Sequence, residues 1–429
     1  MTRRTIKVDY LARVEGEGAL HVRIKDRQVE SVQLKIFEPP RFFEAFLRGR
    51  DYRETPDIVA RICGICPVAY QMSAVHALEN ALGVQVSEPV RQLRRLLYCG
   101  EWIESHVLHI YMLHAPDFLG YQGAIEMARD HRTLVERGLK LKQAGNVILQ
   151  VLGGREIHPI NVKVGGFYKV PGRNEMRALK PMLEQARDAA VDTVHWVAGF
   201  EYPEIDRGYE FVALRADVGY PMNEGRITSS AGLSIDAADF DSCFEESHVQ
   251  HSTALHAAIK GRGPYLVGPL ARFNLNHDRL SPIARRLAHE MSLSAPVRNP
   301  FKSIIVRALE VLHACELALD IVDQYEPFDP PAQESSPRSA TGHACTEAPR
   351  GILYHRYQID ADGTLLDARI VPPTSQNQAT IEDDLRAVVE HDIDIPDSAL
   401  RDRCEQSIRN HDPCISCATH FLQLDVERH

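Results

Sequence analysis

The sequence predicts an α+β fold, mainly α, with a core of long helices and small antiparallel β-sheets in its N-terminal and C-terminal regions. Three observations predict it. The first 37 residues alternate apolar and polar side chains, several long segments between residues 54 and 326 carry apolar residues at helical spacing, and a hairpin pattern follows near residue 352. A chain of 429 residues with 44% hydrophobic content can bury a large core, and we expect one domain over residues 1–429.

Residues 1–53 form the predicted N-terminal β region. Alternating runs at 5–8, 20–24 and 29–37, with a turn at 25–28, predict a small antiparallel sheet. Between the first two runs lies a glycine-containing segment, residues 13–18, whose glycines suit a close approach of the backbone.

Residues 54–326 form the predicted helical core. We expect one helix to begin at Thr55 and Pro56 and to continue through the cysteines at 63 and 66 to about residue 83. A second helix should open at Ser87, a third should span 124–149, and a fourth should run from Asn299 to about residue 325.

The remaining sequence divides into a loop and a C-terminal α/β region. Residues 327–346 are rich in Pro, Ser and Gly and predict an excursion loop. Within 347–429, runs at 352–359 and 364–371 predict a hairpin across Asp362-Gly363, and helices are expected around 380–390 and 397–409.

Composition excludes several classes of function. The formal net charge of −10, from 59 acidic and 49 basic residues, argues against a nucleic-acid partner. No uncharged apolar stretch of about 18 residues is present, so we expect no membrane span. The N-terminal segment does not resemble a signal peptide, and nine cysteines without a dense framework indicate a reducing compartment. The expected location is the cytoplasm.

Two Cys-x-x-Cys steps, Cys63–Cys66 and Cys414–Cys417, stand near opposite ends of the chain. A two-residue gap lets both sulfurs of a step face one metal, and four thiolates select a soft transition metal over magnesium or calcium. From the steps alone, a structural zinc site explains the pattern equally well. Because no long linker separates them, we expect the two steps to meet in space.

The residues around both steps carry a resemblance to a known family. They resemble the two metal-binding signatures of the large, catalytic subunit of nickel–iron hydrogenases of the soluble cytoplasmic type, in the segments Arg61-Ile62-Cys63-Gly64-Ile65-Cys66 and Asp412-Pro413-Cys414-Ile415-Ser416-Cys417-Ala418-Thr419-His420. The resemblance implies the large-subunit fold of that family and heterolytic cleavage of H2. It also implies that Cys63 and Cys414 bind nickel terminally, while Cys66 and Cys417 bridge nickel to an iron that carries CN and CO.

A candidate proton relay follows from the segment Arg13-Val14-Glu15-Gly16, which is similar to the family's Arg-x-Glu-Gly. The resemblance implies that Glu15 exchanges protons with a nickel thiolate, and partial burial suits a carboxylate to that task by raising its pKa. Without the resemblance, Glu15 would be a surface carboxylate at a strand end. Glu17 faces the same side of an ideal strand, so spacing alone does not separate the two.

Two further segments resemble the family's surroundings of the iron. Arg350 lies in Glu347-Ala348-Pro349-Arg350-Gly351, and the resemblance implies that its guanidinium donates to one cyanide, with Pro349 and Leu353 beside the diatomic ligands. In Pro373-Thr374-Ser375 the hydroxyl of Thr374 is the candidate donor to the other cyanide, next to Pro373. A capping role for the helix near residue 380 is the alternative for Thr374.

A third metal ion, magnesium or iron, is implied by three further positions. Glu44 and His420 match its side-chain ligands and Ile370 matches a backbone carbonyl ligand. One departure from the family concerns Tyr70, which stands where many members have a histidine four residues after the second cysteine. A phenol does not change charge near neutral pH. A second departure is the segment 421–429 that follows His420.

The favoured interpretation is therefore an enzyme that interconverts H2 with protons and electrons. The chain has no spare cysteine cluster for iron–sulfur centres, so the resemblance implies an iron–sulfur small subunit, with further diaphorase-type subunits that bind flavin and NAD(P). The alternatives are a non-catalytic metal- or quinone-site scaffold subunit of a redox complex and a zinc-stabilised binding protein. The four cysteines disfavour the scaffold, and nickel and iron content would separate the zinc protein.

Overall fold

The computed structural model describes residues 3–419, so the expected ligand His420 and the segment 421–429 lie outside the described residues. The N-terminal region folds as predicted into a three-stranded antiparallel sheet in the order β1-β2-β3. Its strands are β1 (Arg3–Val8), β2 (Gly18–Lys25) and β3 (Gln28–Ile36). The apolar positions of all three strands face one buried side.

Helices dominate the next part of the chain. They are α1 (Phe43–Leu47), α2 (Thr55–Val59), α3 (Pro67–Leu82), α4 (Glu88–Leu108), α5 (Ala115–Leu119), α6 (Ala124–Asp130), α7 (Arg132–Gly153), α8 (Arg173–Arg177) and α9 (Lys180–Ala198). A π-helical turn, His109–His114, joins α4 to α5. The helix expected over 124–149 is interrupted at His131, which leaves the helical region of backbone space.

The expectation of one continuous helix through the first pair of cysteines was wrong. Helix α2 ends at Val59, a short 3₁₀ turn follows, and Cys63 is extended with φ −136° and ψ 134°. Helix α3 starts only at Pro67 and ends before Gly83, which has a φ of +70°. A proline disfavours helical backbone at the residue before it, so Pro67 starts a new helix and leaves Cys66 outside it.

The middle of the chain mixes short strands with helices. The strands are β4 (Val162–Lys163), β5 (Gly166–Phe167), β6 (Val212–Arg215), β7 (Arg226–Ser229), β8 (Ser234–Ile235), β9 (Phe244–Val249) and β10 (Ser252–Ile259). The helices are α10 (Phe240–Cys243), α11 (Pro269–Asn276), α12 (Pro282–Glu290) and α13 (Ser303–Gln324). The Asn299 side chain accepts a hydrogen bond from the Phe301 amide, which fixes the entry to α13 as predicted.

The C-terminal region contains the predicted hairpin and one strand that the sequence did not predict. Strands β11 (Ala340–Ala348), β12 (Gly351–Ile359) and β13 (Leu365–Val371) form an antiparallel sheet in that order. Residues 340–346 are therefore strand and not part of the loop. Helices α14 (Pro373–His391), α15 (Asp397–Asn410) and α16 (Ile415–Ala418) follow, and α14 starts seven residues before the expected position.

One hydrophobic core connects most of these elements. Helix α13 is buried on nearly all sides and packs against α4 and α9, while α7 packs along α4. The core extends from Leu47 to Cys417 and includes the four motif cysteines. These features confirm the predicted α+β, mainly α class. Within residues 3–419, no helix combines the length and apolar character that crossing a membrane requires.

The close approach of α4 and α7 depends on two glycines. A Cβ at Gly145 would lie 2.5 Å from the Gly100 carbonyl oxygen and 2.8 Å from the Glu104 amide nitrogen. Because both atoms belong to the backbone, Gly145→Ala should separate the helices and cost about 1–3 kcal/mol of the free energy of unfolding. A thermal melt should show a lower midpoint. Gly208→Ala, with no neighbour within 4 Å, is the control, and equal midpoints for the two variants would contradict this packing.

Candidate metal centre

The structure brings the sulfurs of the two Cys-x-x-Cys steps to one place. The Sγ atoms of Cys63 and Cys414 are 3.7 Å apart, and the sulfurs of all four motif cysteines lie within 4.8 Å of one another. No motif cysteine is more than 6% exposed. Four buried soft donors around one point form a site for one or two transition-metal ions.

Backbone amides favour a thiolate at the first step. The amides of Ile65 and Cys66 donate to the Cys63 sulfur over 3.3 and 3.0 Å. Burial raises the pKa of the Cys63 thiol, but hydrogen bonds from Cys414, Cys417 and Cys66 outweigh burial and hold that pKa well below its usual value. The hydrogen bond to Cys417 raises the pKa of Cys414. Ionisation of one cysteine therefore disfavours ionisation of its neighbours, and a bound cation would reduce the repulsion between the thiolates.

Glu101 fixes the start of α3 directly after the first step. Its buried carboxyl group accepts hydrogen bonds from the amides of Val68 at 2.6 Å and Ala69 at 3.1 Å, which are otherwise unpaired donors of the first helical turn. Burial and the nearby Cys63 raise the pKa of Glu101 well above its usual value. Glu101 was not predicted from the sequence. Its position four residues after the core residue Leu97 places it on the buried face of α4, and an acidic residue on a buried face is a signal of a specific role.

The second step is held by the segment that contains Glu15. The Ile415 amide donates to the Glu15 carbonyl at 3.0 Å, and the Ser416 amide donates to the Glu15 carboxylate at 3.1 Å. The backbones of Glu15 and Cys414 form an isolated parallel bridge. Glu17 is exposed. Glu15 therefore contacts residues 414–416, and this contact distinguishes it from Glu17, which strand spacing alone does not.

Gly16 allows this contact. Its φ is +90°, and an added Cβ would lie 2.6 Å from the Ile415 Cβ, so a side chain there would displace the second step. Arg13 anchors the same segment because its guanidinium binds the carboxylate of Asp117, which also accepts two hydrogen bonds from Arg409. The glycine and the buried ion pairs together fix the path of residues 13–16.

Arg350 connects the site to the residues before the second step. Its Nε donates to the Asp412 carbonyl at 2.6 Å, and its Nη2 lies 3.2 Å from an Asp412 carboxylate oxygen. Its Nη1 is buried and has no hydrogen-bond partner among residues 3–419. Burial lowers the pKa of Arg350, but Asp412 and the sulfurs of Cys414, Cys66 and Cys63 outweigh burial and raise it. The free N–H groups are suited to an acceptor on a ligand of the metal.

Arg272 holds the segment that contains Arg350, and sequence reasoning missed it. Its guanidinium donates to the carbonyls of Ala348 and Pro349 at 2.8 Å each and pairs with Glu310 and Glu347. Arg272 and both glutamates are fully buried. The ring of Trp102 lies 4.4 Å from the guanidinium. Pro349 thus contributes a carbonyl to the scaffold of the site.

Thr374 contacts the second cysteine step, and Leu353 lies in the hydrophobic core. The Thr374 hydroxyl accepts a hydrogen bond from the Cys414 amide at 3.0 Å, so its own hydrogen remains available for donation. Because α14 begins at Pro373, Thr374 lies in the first helical turn, and the capping role for a helix near residue 380 was wrong. Leu353 is fully buried and belongs to the same core as the cysteines.

Glu44 and Ile370 line a small cavity behind Cys417. The cavity measures about 20 Å³ and is also lined by Arg41 and Thr419. The Ile370 amide donates to the Glu44 carboxylate at 2.6 Å. Because the amide and the carbonyl of one residue in an antiparallel strand point to the same side, the Ile370 carbonyl also lies at the free edge of β13. The site that the sequence predicts for a third ion therefore has two of its three expected contributors together.

Tyr70 occupies the position where a histidine was expected from the family. It is buried, its hydroxyl has no hydrogen-bond partner among residues 3–419, and its ring centroid lies 5.7 Å from that of His355. Burial and the nearby sulfurs of Cys417 and Cys66 raise the pKa of Tyr70 well above its usual value. The phenol therefore stays neutral and can donate a hydrogen bond toward the sulfurs.

Comparison with known proteins identifies relatives over nearly the whole chain. A family model described as nickel-dependent hydrogenase matches residues 41–138 and 268–420. The chain is 35% identical over 424 residues to sulfhydrogenase 1 subunit alpha of Pyrococcus furiosus, covering 98% of each protein. It is 26% identical to the NAD-reducing hydrogenase HoxS subunit beta of Cupriavidus necator, covering 98% of this chain and 95% of the relative.

Solved structures agree with the sequence comparison. The fold matches an NAD⁺-reducing NiFe-hydrogenase in its H2-reduced state, with a TM-score of 0.87, 28% identity and coverage of 97% of this chain and 99% of the other. It also matches the fold of a NiFeSe-hydrogenase from Desulfovibrio vulgaris Hildenborough, with a TM-score of 0.80, 24% identity and coverage of 98% and 100%. The chain belongs to the nickel-dependent hydrogenase family.

Proposed function

We propose that this chain is the catalytic large subunit of a nickel–iron hydrogenase, which interconverts H2 with protons and electrons. The observation that carries the proposal is the convergence of four buried cysteine sulfurs within 4.8 Å, inside a chain of the nickel-dependent hydrogenase family. In this proposal Cys63 and Cys414 would hold nickel, and Cys66 and Cys417 would hold both nickel and iron. When bound, the nickel–iron centre supplies the open metal position at which H2 is split heterolytically.

The polar groups around the sulfurs support an iron with CN and CO ligands. The buried Nη1 of Arg350 and the hydroxyl hydrogen of Thr374 are donors that need acceptors, and cyanide nitrogen is such an acceptor. Leu353 and Pro373 are buried, and we assign to them the apolar surface around the diatomic ligands. A zinc tetrathiolate would offer these donors only sulfur acceptors, so the donor set favours the binuclear centre over a structural zinc site.

Glu15 is the proposed acceptor of the proton released when H2 is split. Its carboxylate accepts a hydrogen bond from the amide of Ser416, a residue that stands between Cys414 and Cys417. The Glu15 side chain is half-buried. The carboxylate therefore contacts the backbone of the second step and is partly accessible to solvent. It takes a proton from a terminal cysteine and passes it outward, and the reverse path serves H2 formation.

A third ion, magnesium or iron, is proposed for the cavity beside Glu44. The Glu44 carboxylate and the Ile370 carbonyl offer hard oxygen donors, with His420 as the proposed third contributor outside the described residues. The cavity also borders Cys417, so this ion would connect the second step to β13.

The electrons require a second subunit. Among residues 3–419, no further group of cysteines converges that could hold an iron–sulfur cluster. We therefore propose an iron–sulfur small subunit, followed by diaphorase-type subunits that bind flavin and NAD(P), in a hetero-oligomer located in the cytoplasm. The similarity to an NAD-reducing hydrogenase supports this type of carrier.

The chain is proposed to act as one domain over residues 1–429. One hydrophobic core extends from Leu47 to Cys417, and the N-terminal sheet packs against the C-terminal helices α14 and α15. The alternative of a non-catalytic metal- or quinone-site scaffold is not favoured, because the chain is similar over nearly its whole length to hydrogenase subunits.

Infrared absorption and metal analysis of the purified complex test the proposed function. We expect CN and CO bands together with about one nickel per copy of this chain and iron in excess of nickel. Zinc in the place of both metals, in material that turns over H2, would contradict the proposal.

Glu15→Gln should retain the CN and CO bands and lose hydrogen–deuterium exchange by about 10²- to 10⁴-fold. The amide keeps the shape of the side chain but does not carry a proton at its oxygen, and a positioned acid–base group contributes about that factor. Isotope exchange measured by mass spectrometry reports the loss.

Glu17→Gln is the matched control, because Glu17 is exposed on the same segment. It should exchange at the rate of the unaltered protein. Loss of exchange in Glu17→Gln with full exchange in Glu15→Gln would show that the proton leaves by the other glutamate.

Arg350→Lys should shift the cyanide bands and slow turnover by about 10- to 100-fold, or reduce loading of the metals. A lysine amine replaces the planar fork and does not pair with Asp412 and a cyanide at once, and hydrogen bonds to charged groups contribute about 1.5–3 kcal/mol. Arg356→Lys in β12 is the control, because Arg356 pairs with Asp241 and Asp367 near the surface. Unshifted bands in both variants would rule out a contact between Arg350 and the iron ligands.

A further inference from the structure

A second group of potential metal ligands lies outside the cysteine centre. His251 at the β9–β10 turn, His256 in β10 and Glu382 in α14 each direct one ligand atom to a common point, and these atoms lie within 4.8 Å of one another. The Nε2 of His251 is 2.7 Å from a carboxylate oxygen of Glu382. The rings of the two histidines approach edge to face, with centroids 5.9 Å apart.

His256 is the observation that favours a ligand over a simple ion pair. The residue is only 8% exposed, and its Nε2 has no hydrogen-bond partner among residues 3–419. Burial, and secondarily the charge of His251, lower the pKa of His256 to about 4. At neutral pH its imidazole is therefore uncharged, which is the form that binds metals. An unpaired buried nitrogen costs about 1–3 kcal/mol, and a bound cation would remove that cost.

The surrounding backbone orients the other two side chains. The Leu34 amide at the free edge of β3 donates to the Glu382 carboxylate at 2.7 Å. The Thr253 hydroxyl donates to the carbonyls of Ile36 and Glu38, which fixes the chain two residues after His251. Metal sites commonly hold their ligands through such outer hydrogen bonds, which fix the orientation before the ion binds.

We propose that His251, His256 and Glu382 form a second metal site for a divalent cation of borderline softness, with Zn²⁺ as the best match. Two imidazoles and one carboxylate are a donor set that zinc uses with a fourth position left to water. Ligand atoms in a tetrahedral zinc site are roughly 3.3 Å apart. The ligand atoms of His251, His256 and Glu382 lie within 4.8 Å of one another, so small side-chain rotations would bring them to that separation. The ion would replace the proton shared between His251 and Glu382.

The position of the site indicates a structural role. Its ligands join the β9–β10 turn, strand β10 and helix α14, and the Leu34 amide of β3 contacts the carboxylate ligand. The same helix contains Thr374 at its first turn, next to the Cys414 amide. A cation at this site would therefore stabilise the frame of the cysteine centre without touching it.

Zinc binding to the assembled hydrogenase complex tests the proposal. In that complex the nickel–iron centre already occupies the cysteines, so the chelator-washed protein is titrated with Zn²⁺ and examined at the zinc X-ray absorption edge. We expect one zinc per large subunit, with nitrogen and oxygen neighbours at about 2.0–2.2 Å and no sulfur at about 2.3 Å. His256→Ala should weaken zinc binding at least about 100-fold, more than the loss of an outer contact does.

His248→Ala is the matched control, because His248 is exposed on the same hairpin and outside the cluster. It should bind zinc like the unaltered protein. If the buried change at residue 256 prevents folding, His251→Ala removes a more exposed ligand and should weaken binding by the same factor. Equal zinc affinity in His251→Ala and His248→Ala, a sulfur-containing shell, or no zinc uptake by the unaltered complex would overturn the site.

Discussion

The ion pair between Arg350 and Asp412 is the contact on which the cysteine centre most depends. Both side chains are almost completely buried, and Asp412 is only two residues before Cys414. Removing one partner of such a pair leaves a buried charge unpaired and typically costs about 3–5 kcal/mol. Arg272 fixes the backbone of the segment that contains Arg350, so two buried arginines connect residues 348–350 to the chain just before the second cysteine step.

Around the sulfurs the protein keeps polar groups that it does not satisfy by itself. The Nη1 of Arg350 and the hydroxyl of Tyr70 are buried without partners among residues 3–419, and each such group costs about 1–3 kcal/mol. Their concentration next to four thiols means that filling the centre contributes to the stability of the fold. The assembly of the metal site and the closure of residues 412–417 on the rest of the chain are therefore linked.

Much of the fold could be predicted because local patterns and tertiary packing agree. The alternation of residues 5–37 correctly predicted the N-terminal strands, and the apolar spacing of residues 303–324 correctly predicted a buried helix. Predictions failed where one residue or a distant partner overrides the pattern. Pro67 interrupts the helix expected through the cysteines, and residues 340–346 become a strand because β12 pairs with them.

The sequence by itself determined the four cysteines, the segments around them and the family that they resemble, because metal chemistry fixes residue type and spacing within short segments. Only the tertiary structure decided which of Glu15 and Glu17 contacts residues 414–416. It alone revealed that Glu101 caps the helix after the first step. The cluster of His251, His256 and Glu382 was equally hidden, because its contacts join positions more than 100 residues apart along the chain. Such contacts depend on how sheets and helices pack, and no local pattern encodes that packing.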